Sequence, residues 1–269
     1  MYSLKFHRAQ SVPDSLSSFG QYSDARFLAG GQTLLASLKL RLAQPDALID
    51  LRDVAALKGI RISAGQSVSL GAMTTHAQIN ESKEVAAALP AVAELAGHIG
   101  DPMVRQMGTL GGSVANNDPA ADWPAALLGL DGTVITSARK IKADDFFLGM
   151  FATALEAGEI ITELEFRIPR RAAYIKFKNP ASRFALVGVF VAEFESEVRV
   201  AVTGAGAGVV RLAAFEDALK NNFSADALKT LAVDASELNN DMHASAEYRA
   251  NLISVIAQRA VNKASGVAA

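Results

Sequence analysis

Gly108-Thr109-Leu110-Gly111-Gly112-Ser113, followed by Asn116-Asn117-Asp118-Pro119-Ala120-Ala121-Asp122, is the stretch on which the reading of this chain turns. Glycines carry no Cβ, so backbone N–H groups in such a loop can approach a phosphate closely. The same chemistry stands upstream in Ala29-Gly30-Gly31-Gln32-Thr33, where Thr33 adds a hydroxyl and the apolar, helix-like Leu34 to Leu42 follows. A helix there would direct its N-terminal dipole at an anion. Either loop alone reads equally well as a glycine turn that caps a helix. Two of them, converging from different parts of a fold, can clamp the adjacent phosphates of a dinucleotide, with Asp122 accepting from ribityl or ribose hydroxyls. Asp118 or Asp122 can also cap the helix expected over Trp123 to Leu130, and the two roles are compatible.

Working outward, Ala47 to Leu51 reads as a short strand, and Gly59 to Ser63 with Ser67 to Ala72 reads as a hairpin turned by Ala64-Gly65-Gln66. Glu84 to His98 has helical spacing through Val92, Leu95 and Ile99, and Pro90 must start a new turn or kink it. Asp131-Gly132 turns the chain into a strand at Thr133 to Ser137, and Glu159 to Pro169 makes another through Ile161, Leu164, Phe166 and Ile168. The Arg-rich corner Pro169 to Ala173 marks a domain boundary. Beyond it, Ala185 to Glu195 and Val198 to Thr203 form a second hairpin, and the pattern becomes helical from Ala213. A long helix is expected from Ser245 to about Lys263 with Leu252, Val255, Ile256 and Val261 on one face, and Ser265 to Ala269 should fray.

With 269 residues, half of them hydrophobic, the chain can bury a substantial core, and no apolar run approaches the roughly 20 residues that span a bilayer. A net charge of −2 with scattered Lys and Arg argues against a nucleic-acid partner. The absence of cysteine excludes disulfides, thiolate-ligated clusters and a cysteine-linked cofactor, and is compatible with the cytoplasm. His7, His76, His98 and His243 show no metal-ligand spacing, and neither His98 with Asp101 nor any serine announces a nucleophilic triad. Gly204-Ala205-Gly206-Ala207-Gly208 follows a strand but misplaces its third glycine and lacks a βαβ continuation, so it reads as a turn.

Ala29 to Leu34, and Thr109 to Ser113 preceded by Val104-Arg105, resemble the two flavin motifs of the medium subunit of carbon monoxide dehydrogenase and related molybdenum hydroxylases. Asp118 to Asp122, Lys176 to Arg183 and Ala244 to Arg249 resemble further blocks of that family in the same order, so the likeness covers nearly the whole chain. Gln32-Thr33 and Gln106-Met107 depart from the commoner family residues but keep hydrogen-bonding groups. The resemblance implies an α+β chain: a two-subdomain FAD-binding fold of the PCMH type over 1–170, divided near residue 55, then a small α+β C-terminal domain over 171–269. Carried over residue by residue, the pyrophosphate would lie against Ala29, Gly30, Gly31, Gln32, Thr33 and Leu34 and against Thr109, Gly111, Gly112 and Ser113. Asp122 would bind a flavin or ribose hydroxyl. Ile99, Val104 and Ile161 would be either cofactor walls or ordinary core, and Lys176 either a charge near the cofactor or a solvated surface lysine.

The resemblance further implies a complex, a dimer of heterotrimers, in which a large molybdenum-cofactor subunit oxidises substrate and a [2Fe-2S] small subunit relays electrons to the FAD of this chain. No acid-base catalytic residue and no metal ligand is then expected here. The alternative from a different class is a free-standing flavoprotein oxidase with its own small substrate.

Overall fold

Three short strands, β1 (Lys5–Arg8), β2 (Ala25–Leu28) and β3 (Ala47–Asp50), alternate with helices α1 (Val12–Phe19) and α2 (Leu34–Lys39) in this computed structural model, which describes residues 1–267. The strands form a parallel sheet of order β1-β3-β2. Only the central β3, Ala-Leu-Ile-Asp, is buried throughout, which is why it alone was legible as a strand. Strand β1 is a polar edge, Lys-Phe-His-Arg, and carries no hydrophobic alternation. Helix α2 stops at Lys39, earlier than the apolar run to Leu42 suggests, because Arg41 turns left-handed (φ 60°).

The second sheet is antiparallel. Strands β4 (Ile60–Ser63) and β5 (Ser67–Gly71) form the expected hairpin, with Gly65 at φ +69° in its turn. Helices α3 (His76–Glu81), α4 (Lys83–Ala88), α5 (Pro90–Gly97), α6 (Pro102–Met107), α7 (Leu110–Asn116) and α8 (Trp123–Gly129) follow. The segment around Pro90 is two helices: Leu89 leaves helical geometry and Pro90 opens α5, where its missing N–H costs nothing. Then come β6 (Thr133–Thr136), β7 (Lys140–Lys142), the single turn α9 (Ala143–Phe146), the small hairpin β8 (Phe147–Gly149) with β9 (Ala152–Thr153), and β10 (Ile161–Arg167). The sheet order is β4-β5-β10-β6-β7. A bulge between Ile161 and Glu163 lets Ile161 and Leu164, three positions apart, both enter the core.

The third sheet is a meander, β11 (Arg171–Lys178), β12 (Ala185–Glu193), β13 (Val198–Thr203) and β14 (Val210–Arg211). The Arg-rich stretch read as a corner therefore runs into a strand from Arg171 onward. Arg171 faces Glu193 across the ladder, its Nε 2.7 Å from the carboxylate, and this cross-strand partner accommodates a charge that looked like loop. Strand β12 is buried on both faces. Phe190 and Ala192 pack with Trp123 and Leu127 in the core of the second sheet, whereas Val187, Val189 and Val191 pack under the C-terminal helices α10 (Ala213–Asn221) and α11 (Ala246–Ala264). One strand thus welds the two cores together.

Ser245 caps α11 by accepting from the Tyr248 N–H. Its buried stripe is Leu252, Ile253, Ile256, Ala257, Ala260 and Val261; Val255, expected on that face, lies half-buried at its edge. Ser265, Gly266 and Val267 still bond back to the last turn of α11, and residues 268 and 269 of the expected fraying tail lie outside the described residues.

Candidate functional site

Loop Ala29 to Thr33 leaves the C-terminal end of β2, the side on which open parallel sheets receive ligands. Gly31 has φ +72°, a left-handed conformation that favours glycine, and a Cβ there would meet the Leu35 side chain at 2.7 Å. Gly30 is pressed against the second loop: a Cβ there would stand 2.0 Å from the Met107 carbonyl oxygen and 2.9 Å from the Gly108 Cα. The two glycine loops meet backbone to backbone.

Their amides are used differently. In the second loop Leu110 N–H donates to the Thr74 carbonyl (3.0 Å), Gly111 N–H to that of Ala72 (2.8 Å) and Gly112 N–H to Thr109 Oγ1 (3.2 Å). Gly111 is there because α7 lies directly on Ala72, whose Cβ would be 2.5 Å from any Cβ at 111. In the first loop the N–H groups of Gly30, Gly31, Gln32, Thr33 and Leu34 have no protein acceptor among the described residues. Both loops look alike in sequence; the first is a row of open donors and the second is mostly satisfied, with Thr109 and Ser113 lining the cleft.

Between them runs a cleft of about 430 Å³, within the range of about 300–1,000 Å³ usual for small-molecule and cofactor sites. Ala29 to Leu34, Ile99, Val104, Thr109, Gly111, Gly112, Ser113, Asp122 and Ile161 all line it. Lys176 does not. Sequence reasoning missed Arg26, Phe27, Met73, His76, Leu155, Glu159 and Phe184, which also line it. Arg26 and Phe27 immediately precede the first loop and could have been suspected. The others arrive from distant elements. Arg26 is the only lysine or arginine among the lining residues.

Asp122 stands at the start of α8 but makes no capping bond. Its carboxylate, almost fully buried, accepts from the Tyr174 hydroxyl (2.5 Å) and the Lys176 ammonium (2.9 Å), so the capping expectation fails because two stronger partners reach it from β11. Lys176 is likewise buried and not a solvated surface lysine; its ammonium also donates to the His98 carbonyl (3.0 Å). Burial pushes the Asp122 carboxyl up, and Lys176 and Tyr174 oppose that rise. Burial beside this carboxylate also holds the Tyr174 hydroxyl well above its ordinary value. On the other side Glu159 is held down to about 2, chiefly by the Arg139 guanidinium, with the Glu156 N–H and Thr136 hydroxyl adding to it. The cleft is therefore lined by open amides, by apolar side chains and by a carboxylate paired with Lys176. That suits a long ligand with an anionic segment, an apolar ring and hydroxyls.

The Gly204 to Gly208 stretch is a turn after β13. Gly204 N–H donates to the Pro119 carbonyl (2.9 Å), and Thr203 Oγ1 to that of Ala121 (2.7 Å), so it braces the segment that delivers Asp122.

Comparison with known proteins places nearly the whole chain in one family. Residues 2–171 match the family described as the FAD binding domain in molybdopterin dehydrogenase, and residues 172–264 match the CO dehydrogenase flavoprotein C-terminal domain. The nicotine 6-hydroxylase medium subunit of Paenarthrobacter nicotinovorans is 35% identical over 97% of both chains. The carbon monoxide dehydrogenase medium chain of Hydrogenophaga pseudoflava is 34% identical over 97% of this chain and 96% of its own. The solved structure of reconstituted CO dehydrogenase from Oligotropha carboxidovorans superposes with a TM-score of 0.90 at 31% identity, covering 99% of each chain. This chain belongs to the FAD-binding medium subunits of molybdopterin dehydrogenases, the family of the carbon monoxide dehydrogenase medium chain.

Proposed function

We propose that the chain binds FAD noncovalently in this cleft and acts as the electron-transfer subunit of a cytoplasmic molybdenum hydroxylase, taking electrons from a [2Fe-2S] small subunit and passing them to an external acceptor. The molybdenum cofactor would sit in a large subunit, and the whole would assemble as a dimer of heterotrimers. Bound flavin supplies the junction between one-electron and two-electron transfer, and the protein sets its position and surroundings.

The observation that carries this reading is the contact of the two loops with five amides left open. Gly30 lies so close to Met107 and Gly108 that the first loop is held in place by the second, and its N–H groups are preorganised for an anion. The pyrophosphate is assigned to these amides and to the hydroxyls of Thr109 and Ser113. Ile99, Val104 and Ile161 supply apolar wall. Asp122 accepts from a flavin or ribose hydroxyl, and Lys176 acts from behind it by holding the carboxylate. The chain has no cysteine for a thioether link or a cluster, so iron must be ligated elsewhere.

Folded, purified chain titrated with FAD should bind one equivalent, read by flavin absorbance and calorimetry, and denaturation should release it intact. Folded protein that takes up no flavin would overturn the reading.

A further inference from the structure

His76 opens α3 and is almost fully buried, yet it lines the cleft. Its Nδ1 lies 3.2 Å from the indole Nε1 of Trp123, which is itself fully buried. An indole N–H only donates, so Nδ1 accepts, and the proton of the neutral ring must sit on Nε2. Burial, together with the nearby Arg105 guanidinium, holds the imidazole down to about 4, so the ring is neutral at pH 7. Nε2 faces Gly108, where a Cβ would come within 2.9 Å of it, and a side chain at that position would cover this nitrogen. Among the described residues the Nε2–H has no acceptor. This nitrogen keeps some accessibility, so an acceptor in the cleft can reach it, and Trp123 prevents the ring from escaping into the other tautomer.

Gly108 is also the residue against which Gly30 packs, so the oriented donor lies next to the residue at which the two loops meet, and His76 and the open amides of the first loop line the same cleft. We propose that the His76 Nε2–H is a hydrogen-bond donor to the diphosphate of the bound dinucleotide, and that Trp123 is the positioning residue that fixes its tautomer. This rests on the reading of the cleft as the FAD site. A neutral donor of this kind contributes directional recognition of the phosphate oxygens where Arg26, at the rim, contributes charge.

Two substitutions separate the two nitrogens. In His76→Gln the side-chain amide nitrogen reaches the place of Nε2 and the acceptor for Trp123 is lost. In His76→Asn the amide can still accept from Trp123 but is too short to reach the cleft. FAD affinity should fall about tenfold in His76→Asn, the loss of one hydrogen bond to a charged acceptor, and stay within about twofold of wild type in His76→Gln, although the Gln variant melts lower. If affinity instead follows stability, with Asn binding normally and Gln weakly, or if both bind normally, His76 serves only as the acceptor for Trp123 and the proposal falls. Should either variant fail to fold, nitrogen-15 spectra of the wild-type imidazole decide. The Nε2–H proton should move downfield on addition of FAD and also of ADP; a resonance that stays put with both overturns the proposal. Wild-type protein that binds no FAD at all would instead remove the cofactor reading on which it rests.

Discussion

Gly30 and Gly108, far apart in the chain, are in backbone contact: a methyl group on Gly30 would stand 2.9 Å from the Gly108 Cα and only 2.0 Å from the carbonyl oxygen of Met107. The contact joins the parallel N-terminal sheet to the helices of the second sheet and places the open amides of the first loop at the mouth of the cleft. No flexible side chain can yield there. Gly30→Ala should therefore push the loops apart and raise the FAD Kd at least tenfold, measured by flavin titration.

Gly111→Ala should behave differently. Its Cβ would strike Ala72 within the packed interior, so the loss falls first on stability, about 1–3 kcal/mol by urea unfolding. Equal stability of this variant and wild type would contradict the packing described.

Lys176→Met leaves the Asp122 carboxylate buried with only Tyr174 as partner, and should cost about 3–5 kcal/mol. Asp122→Asn combined with Lys176→Met should recover part of that loss, because the stranded charge is gone. A double variant as unstable as the single one would show that the cost is packing and not charge.

Glu159, held down to about 2 by Arg139, makes a pH-dependent contribution whose sign follows from that shift. A carboxyl whose folded value lies below its unfolded value of about 4.3 adds stability above that pH and loses it as the pH falls toward 2. Glu159→Gln should lower stability at pH 7 by about 1–2 kcal/mol, discounted because Arg139 is partly solvated, and should flatten the decline between about pH 4.5 and 2. Acid unfolding curves identical to wild type would refute it.

If the proposed assembly is right, the isolated, flavin-loaded chain should oxidise no small substrate, whereas a complex reconstituted with iron–sulfur and molybdenum subunits should reduce the flavin when substrate is added. Rapid-mixing absorbance follows clusters and flavin separately. Efficient oxidation by the chain alone, without molybdenum or iron, would favour a free-standing oxidase.

The elements legible in the sequence are those whose cause is local. The β4–β5 hairpin turns on Gly65, the restart at Pro90 on a missing N–H, the α11 cap on Ser245, and strand β12 on a continuous apolar run. The two glycine loops stand out in the same way, because paired glycines mark close backbone approach whatever segment packs against them. Strands β1 and β11 do not, since their charged residues are stabilised by neighbours such as Glu193 that lie elsewhere in the chain. Only the tertiary structure decides that the first loop keeps its amides open while the second satisfies its own on Thr74 and Ala72, that Lys176 turns inward to Asp122, and that Trp123 orients His76. Hydrogen-bond partners across long loops leave no periodicity in the chain, because they depend on where other segments pack and not on what stands beside them.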